Sequence, residues 1–205
     1  KLIKQMHTKW YRWVGLLVFF ISLKMVAAQK IHLFDKARHR VGFMYGVGTQ
    51  DLLDVRYTYR VHFFKVQYYL ACIRKPGFTI DLLVQPQYNL TKFTPDTEDP
   101  AKERGFETGA NVGLLIRKPL FNTFLSVYGG ASIGPHYVSG TPPRQASGFI
   151  FSDNFFMGFN LHLHDDLYFD LRSGFRHISN ANIWQPNGGV NNFFTSVGLF
   201  INLDG

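Results

Sequence analysis

Beyond residue 28, hydrophobic and polar side chains alternate with a period of two along most of the chain. Near the start of this region, Val41, Phe43 and Tyr45 alternate with two glycines and Met44. Successive side chains of a β-strand point to opposite faces, so such alternation predicts strands with one apolar face. No segment shows a sustained helical period. The pattern predicts eight strands, over residues 39–49, 53–73, 78–93, 104–117, 121–137, 148–163, 167–179 and 190–203.

The predicted strands are joined by connections of two kinds. The connections 74–77, 118–120 and 164–166 are tight, those at 94–103, 139–147 and 180–189 are long, and the first, after residue 49, is short. Short turns at one rim and longer loops at the other are typical of an up-and-down outer-membrane barrel. The second strand is overlong, and its alternation changes phase at Phe63-Phe64. This change predicts a β-bulge at that point, or two strands instead of one.

The composition of the two faces separates two kinds of barrel. A soluble barrel has its apolar face inside, whereas a membrane barrel presents its apolar face to lipid. Here one face carries Phe, Tyr, Leu, Val and Met on nearly every strand, and the weaker face carries charges of both signs. The charged residues of the weaker face are Arg56, Arg60, Asp81, Glu107, Arg117, Asp170, Arg172 and Arg176. Because side chains can fill an eight-stranded barrel, we predict an all-β, eight-stranded antiparallel up-and-down transmembrane β-barrel rather than a lipocalin-like secreted barrel.

The first 28 residues have the pattern of an export signal. A basic stretch over residues 1–12 precedes an apolar run over 14–23, and Val26-Ala27-Ala28 provides small residues for cleavage. The apolar run is too short to cross a bilayer as a helix, which needs about 20 residues. The sequence therefore predicts a signal peptide over residues 1–28 and an outer-membrane barrel over 29–205. A retained anchor and an amphipathic surface helix are the alternatives.

The net charge of +8 does not indicate a nucleic-acid partner. Five of the eight net positive charges belong to the predicted export signal, namely Lys1, Lys4, Lys9, Arg12 and Lys24. The single cysteine, Cys72, excludes an internal disulfide framework and a Cys-cluster zinc site. We therefore expect no nucleic-acid binding, no metal and no cofactor.

One segment carries candidate chemistry. His177 and Ser179 are two residues apart at the end of the seventh predicted strand, so their side chains project from one face. Like Leu171 and Phe175, they have odd numbers and therefore lie on the apolar face of this strand. This predicts a lipid-facing position near the long loops. A histidine beside a serine can deprotonate it for attack on an ester carbonyl. The two-residue motif is a weak signal, however, and by itself it favours a polar girdle that hydrogen-bonds to lipid headgroups.

A longer string around this pair is more specific. The segments HISNA at 177–181 and PNGGVN at 186–191 resemble the PagL family of lipid A 3-O-deacylases, with the strongest resemblance over residues 148–203. Members of that family are eight-stranded outer-membrane barrels that hydrolyse an acyl ester of lipid A. The resemblance implies an active site facing the outer leaflet, with Ser179 as the nucleophile and His177 as the general base.

The resemblance implies further roles in the same segment. Asn180 and the backbone N–H of Ala181 would lie near the oxyanion, and Asn187 would belong to the same substrate-binding group. The best-characterised type of the family has a glutamate as the third catalytic member, and this sequence has Asn191 there. An amide can select the imidazole tautomer by hydrogen bonding, as in Cys-His-Asn enzymes. It cannot stabilise the imidazolium with a full charge, so this difference bears on the rate of the reaction more than on its occurrence.

Strand parity provides a second candidate for the missing charge. If Leu163 lies opposite Leu167 across the tight turn, then Asp153 lies opposite His177, because directly opposed residues share a face. Asp153 is the carboxylate on the apolar face of its strand. We hypothesise that it supplies the negative charge that Asn191 lacks. The alternative is that Asp153 lies in the headgroup zone without a catalytic role.

The sequence thus predicts an outer-membrane esterase that hydrolyses an ester-linked acyl chain of lipid A through an acyl-enzyme on Ser179. Two rival interpretations stay open at this point. One is a non-catalytic small barrel that serves adhesion or envelope integrity, and the other is an enzyme that transfers the acyl chain instead of hydrolysing its ester. The expected partners are the lipopolysaccharide substrate and the lipids of the outer membrane, and both a monomer and a homodimer fit the sequence.

Overall fold

The structure is a computed structural model that describes residues 39–94, 103–120 and 124–203. The export signal predicted over residues 1–28 lies outside this described part. The described residues contain no helix that is long and apolar enough to cross a membrane. Their strands are β1 His39–Thr49, β2 Tyr59–Lys75, β3 Phe78–Phe93, β4 Glu103–Leu120, β5 Leu125–Val138, β6 Gly148–His164, β7 Leu167–Ser179 and β8 Val190–Asn202.

These strands close into one antiparallel barrel. Each strand pairs with its neighbours in sequence, and β8 returns to pair with β1. We call the rim that carries the connections 50–58, 94–102, 139–147 and 180–189 the loop rim, and the opposite rim the turn rim. The predicted fold class, an eight-stranded up-and-down barrel with long loops at one rim, is confirmed.

The outward face of the barrel is apolar, as predicted for a barrel in lipid. Outward-pointing side chains alternate with buried ones along each strand, for example with Phe43 exposed beside a buried Met44. The exposed set includes Phe43, Val66, Tyr88, Leu114, Ile116, Ile133, Phe155 and Leu199. A soluble barrel would bury these side chains in its interior, so the lipocalin-like alternative does not fit.

The first loop is longer than the pattern predicts. β2 begins at Tyr59 instead of residue 53, and the connection from β1 spans residues 50–58. Gln50 explains this boundary. Its backbone carbonyl accepts a hydrogen bond from the Leu53 N–H at 2.8 Å, and its side-chain oxygen accepts one from the Tyr59 N–H at 3.0 Å. The residues between are thereby held in a folded loop, although their side chains alternate as in a strand.

The bulge or break predicted at Phe63-Phe64 is wrong. The β1–β2 and β2–β3 ladders continue through both residues, and the irregular pairing lies between Ala71 and Ile73. Both faces of β2 are apolar here: Phe63 is buried inside the barrel, and Phe64 points outward. The apparent change of phase in the sequence is therefore a change from a buried apolar row to an outward one.

Apolar and charged side chains share the interior of the barrel. The buried apolar side chains near the loop rim include Tyr59, Val61, Phe63, Phe93, Val138, Ile150, Ile178 and Val190. Because the odd-numbered residues of β2 point inward at this rim, Arg60 points outward, and Arg56 is exposed in the first loop. The prediction of an interior position is wrong for these two arginines. It is confirmed for the other six charged residues, which are Asp81, Glu107, Arg117, Asp170, Arg172 and Arg176.

The buried charges are arranged as ion pairs across the interior. The pairs are Asp81 with Arg40 and Arg117, Asp170 with Arg172, and Glu107 with Arg176, at N–O distances of 2.8 to 3.5 Å. Burying a charge is tolerated when it is paired and hydrogen-bonded. The opposite charges on the inner face therefore bind one another and fill the space that the strands enclose.

Replacing Glu107 with glutamine is expected to destabilise the barrel strongly. The fully buried Glu107 carboxylate accepts hydrogen bonds from Tyr59 at 2.5 Å, Asn89 at 2.7 Å and Arg176 at 2.8 Å. Neutralising it leaves the Arg176 guanidinium buried without a counterion, which costs about 3–5 kcal/mol. The measurement is urea unfolding followed by intrinsic fluorescence.

The matched control for this variant is Asp51→Asn. It breaks the Asp51–Arg60 ion pair at the loop rim, in which both side chains are about half exposed. Exposed pairs contribute less than about 1 kcal/mol. Equal losses in the two variants would contradict the structural importance of the interior pair.

Candidate active site

The end of β7 presents the predicted serine and histidine on the outward face of the barrel. Ile178 is fully buried and points inward, so His177 and Ser179 on either side of it point outward. Both are half-buried and lie at the loop rim. Among the described residues, the Ser179 hydroxyl has no hydrogen-bond partner. The two side chains therefore share the outward face of the barrel at this rim, as strand alternation predicted.

Asn191 holds the imidazole of His177. The two residues are directly opposed in the β7–β8 ladder, and His177 Nδ1 lies 2.6 Å from Asn191 Oδ1. An amide oxygen can only accept a hydrogen bond, so Nδ1 carries the proton and Nε2 keeps a free lone pair. This is the tautomer that a general base needs.

The backbone of Asn191 is held in turn by a residue of the first loop. The Asn191 N–H donates to the Tyr57 hydroxyl at 2.9 Å, and that hydroxyl donates to the Asn191 carbonyl at 3.5 Å. The Arg144 guanidinium lies over the Tyr57 ring, with its carbon 5.2 Å from the ring centroid. The orientation of Asn191 thus depends on two loops distant in sequence. Alternation alone did not single out Tyr57, because it placed this residue in the second predicted strand.

Asp153 lies on the other side of His177. The β6–β7 ladder pairs Asp153 directly with His177, as predicted. The prediction assumed that Leu163 lies opposite Leu167, whereas His164 has that position in the structure. An irregularity between His162 and His164 restores the predicted register farther along the strands. Asp153 is half-buried, and its Oδ1 is buried without a hydrogen-bond partner among the described residues. Directly opposed Cβ atoms are about 4.5–5.5 Å apart, so the carboxylate and the imidazole are close neighbours.

The loop after Ser179 is closed by two of the predicted substrate-binding residues. The Asn180 N–H donates to Asn187 Oδ1 at 3.0 Å, and the Asn180 side-chain amide donates to the Trp184 carbonyl at 2.9 Å. Asn180 is fully buried. The structure therefore brings Asn180 and Asn187 together as residues that hold the loop, and it turns the backbone at Ala181, where φ is 53°.

Gly189 packs against the His177 imidazole. Its φ is 66°, a backbone conformation that residues other than glycine rarely adopt. A Cβ at this position would lie 2.4 Å from His177 Cε1 and 3.1 Å from Nε2. The Gly189 N–H is held by the Gln145 side-chain oxygen at 3.0 Å. The sequence signal for this contact is the glycine pair in the PNGGVN segment, to which the sequence by itself gave no role.

An apolar groove on the outward face begins next to the site and has a volume of about 630 Å³. Its lining includes Val47, Leu52, Phe155, Met157, Phe175 and Phe193. Phe155, Phe175 and Phe193 are aligned across β6, β7 and β8, two residues below Asp153, His177 and Asn191. The polar row at the rim thus lies directly above an aromatic row. Among the described residues, no three His, Cys, Asp or Glu side chains are grouped so that they could hold a metal ion.

A closed barrel with an apolar outer face and a charge-paired interior defines the class of outer-membrane β-barrels. The family model of lipid A 3-O-deacylase (PagL) matches residues 62–200, which is more than half of the chain. This chain therefore belongs to the PagL family, as its sequence motif predicted. No curated protein sequence matches the chain.

Solved structures are similar to the barrel as a whole. The crystal structure of the outer membrane enzyme PagL is 14% identical, with a TM-score of 0.56, and the match covers 78% of this chain and 97% of that one. Neisserial surface protein A is 10% identical with a TM-score of 0.46, covering 82% and 100% of the two chains. The attachment invasion locus protein Ail of Yersinia pestis is 12% identical with a TM-score of 0.44, covering 82% and 97%. At these identities, the likeness to PagL shows the fold.

Proposed function

We propose that this protein is an outer-membrane hydrolase that removes an ester-linked acyl chain from lipid A at the outer leaflet. The observation that carries the proposal is the 2.6 Å contact between His177 Nδ1 and Asn191 Oδ1, beside an outward-facing Ser179. This arrangement leaves a basic nitrogen on the same outward face as a hydroxyl two residues away. Membership of a family of lipid A 3-O-deacylases supports the choice of substrate.

Ser179 acts as the nucleophile in this mechanism. Its Oγ attacks the ester carbonyl carbon while His177 Nε2 takes the hydroxyl proton, and the carbonyl oxygen becomes an oxyanion. When the tetrahedral intermediate collapses, the bond to the sugar oxygen breaks, and the imidazolium returns the proton to that oxygen. An acyl-enzyme remains on Ser179. Water then attacks it with the same histidine as base, which releases a fatty acid and restores the serine.

The backbone after Ser179 provides the donor for the oxyanion. Among the described residues, nothing accepts a hydrogen bond from the Ala181 N–H. Ala181 follows Asn180, and its left-handed backbone forms the turn that comes directly after Ser179. The Asn180 N–H is already bonded to Asn187. We therefore assign the oxyanion contact to the Ala181 N–H. Asn180 and Asn187 hold the loop in the conformation that presents it.

The outward groove receives the acyl chain. Because Phe155, Phe175 and Phe193 lie directly below the polar row, a chain in the groove remains in the apolar layer while its ester reaches the rim. Met157 and Ser173 also line a second groove of about 490 Å³, which continues across β5 to β7. A substrate that stays in the membrane thus needs little displacement to place its ester beside Ser179.

The test of this function is a mass spectrum of lipid A after incubation with the refolded protein. We expect the loss of one hydroxyacyl mass and the appearance of the corresponding free fatty acid. Transfer of the chain to another lipid, with no free fatty acid, would show an acyltransferase instead. An unchanged spectrum from protein that shows the heat-dependent gel mobility of a folded barrel would contradict the proposal and support a non-catalytic barrel.

Replacing Asp153 with asparagine is expected to lower kcat/KM by about tenfold or more. A carboxylate about 5 Å from the imidazolium stabilises it by roughly 1–3 kcal/mol at effective dielectric constants between 80 and 20. The matched control is Asp165→Asn, which removes an exposed acid at the turn rim. An unchanged kcat/KM for Asp153→Asn would leave Asp153 without a catalytic role.

A charge placed at Asn191 is expected to compensate for that loss. Aspartate has the shape of asparagine, so Asn191→Asp puts a carboxylate 2.6 Å from His177 Nδ1 in place of the amide oxygen. We expect this change to restore most of the activity of the Asp153→Asn variant. Rescue measured by kcat/KM would show that Asp153 acts through its charge. Failure of the rescue in a folded protein would show that Asp153 acts in another way.

A further inference from the structure

Three cations form a row on the outward face at the loop rim. Arg60 on β2 lies directly opposite Lys92 on β3, and Lys92 lies directly opposite Arg104 on β4. All three side chains are exposed. Neighbouring strands are about 4.8 Å apart, so this basic row spans roughly 10 Å of the barrel surface. In the described strands, the one acid that points outward is Asp153, which lies at the candidate active site.

The basic row places like charges directly opposite one another. Like charges that lie directly opposite one another across a strand pair destabilise a sheet. The charge of Arg60 is partly compensated by Asp51, whose Oδ2 lies 2.8 Å from a guanidinium nitrogen of Arg60. Lys92 and Arg104 have no ion-pair partner among the described residues, and the neighbouring Glu103 has the inward-facing parity of its strand. An anion bound from outside would remove the repulsion between these two cations.

The surface below the basic row is apolar and aromatic. Leu90 and Phe106 lie on the same face, two residues from Lys92 and Arg104, which is about 7 Å along a strand. The Phe106 ring stacks on Tyr88 with a centroid distance of 5.9 Å. Aromatic side chains of this kind mark the membrane interface of outer-membrane barrels. The anion that fits here therefore belongs to an amphiphile whose chains cover the aromatic surface.

We propose that the basic row binds the phosphate of a second lipid A molecule, distinct from the one at Ser179. The proposal rests on the outer-leaflet position of the loop rim in the proposed function. In a closed barrel of eight strands, β3 lies opposite β7, so the basic row faces away from the site on β6, β7 and β8. One lipid A molecule does not reach both surfaces. Guanidinium and ammonium groups bind phosphate through charge-assisted hydrogen bonds.

The proposal is tested by counting bound lipid A on protein that cannot consume it. In the Ser179→Ala background, native mass spectrometry in detergent measures binding of bis-phosphorylated lipid A and of lipid A without its phosphates. We expect a second bound molecule with the phosphorylated lipid only. The Lys92→Gln/Arg104→Gln variant should bind this molecule at least about tenfold more weakly. Lys118→Gln removes an outward cation of the same strand at the turn rim and should bind it normally.

Each other outcome counts against the proposal. An equal loss in Lys118→Gln would show diffuse attraction instead of a site, and equal binding of the phosphate-free lipid would show that the phosphate is not recognised. Full competition by inorganic phosphate at the concentration of the lipid would show a free-anion site. If the double variant does not fold, the Ser179→Ala protein alone decides, since its second binding event must weaken as salt rises. Because hydrolysis is not measured, failure of this proposal is distinguishable from failure of the deacylase activity.

Discussion

Release of fatty acid from lipid A is expected to fall by about a thousandfold or more when Ser179 is replaced by alanine. The variant retains His177 and its 2.6 Å contact with Asn191, but it has no oxygen that can form the acyl-enzyme. Loss of the nucleophile of a triad leaves only the residual acceleration from binding and the oxyanion donors. The measurement is fatty-acid release per folded protein, together with the mass spectrum of the lipid A product.

The matched control for this variant is Ser173→Ala. Ser173 lies on the same strand and the same outward face, and its hydroxyl is 3.0 Å from that of Thr195. It lines the groove and is not adjacent to His177, so the control removes an outward hydroxyl of the same strand that His177 does not contact. We expect Ser173→Ala to retain at least about half of the activity. Comparable losses in both variants, or an active Ser179→Ala protein, would show that Ser179 is not the nucleophile.

Replacing Gly189 with alanine is expected to lower kcat by about a hundredfold or more. The new Cβ would lie 2.4 Å from His177 Cε1, which is far closer than van der Waals contact. Relief requires the imidazole to move away from Asn191 and out of line with Ser179. A misplacement of about 1 Å in a catalytic group can cost about a hundredfold in rate. The measurement is kcat and KM with lipid A, and KM should change less, because Gly189 does not line the groove.

The control for this variant is Gly77→Ala. It introduces a similar backbone strain without displacing His177, so it distinguishes the effect of strain from the effect of moving the imidazole. Gly77 also has a positive φ, of 90°, but a Cβ there would have no neighbour within 4 Å. It lies between β2 and β3 at the turn rim, far from the site. We expect both variants to lose some stability and only Gly189→Ala to lose activity. Equal losses of activity in the two variants would show that the contact with Gly189 does not orient the His177 imidazole.

The strands and their outward faces could be read from alternation alone, because the side-chain period of a strand is local. The same parity placed His177 and Ser179 together and paired Asp153 with His177, since directly opposed residues must share a face. The bulge or break predicted at Phe63-Phe64 was wrong because both faces of β2 are apolar there. Where neither face is polar, the period carries no information about which side points inward.

The surroundings of the imidazole depended on barrel closure and loop packing. Tyr57 and Asn191 are 134 residues apart, and Gln145 and Gly189 are 44 apart, yet each pair is joined by a hydrogen bond near His177. No local pattern relates such residues, because their contact exists only once β8 has paired with β1 and the loops of one rim have met. Periodicity was thus sufficient for the barrel, its outward apolar surface and the strand positions of the candidate catalytic side chains. The orientation of the histidine arises from contacts between loops, whose geometry is set by tertiary packing.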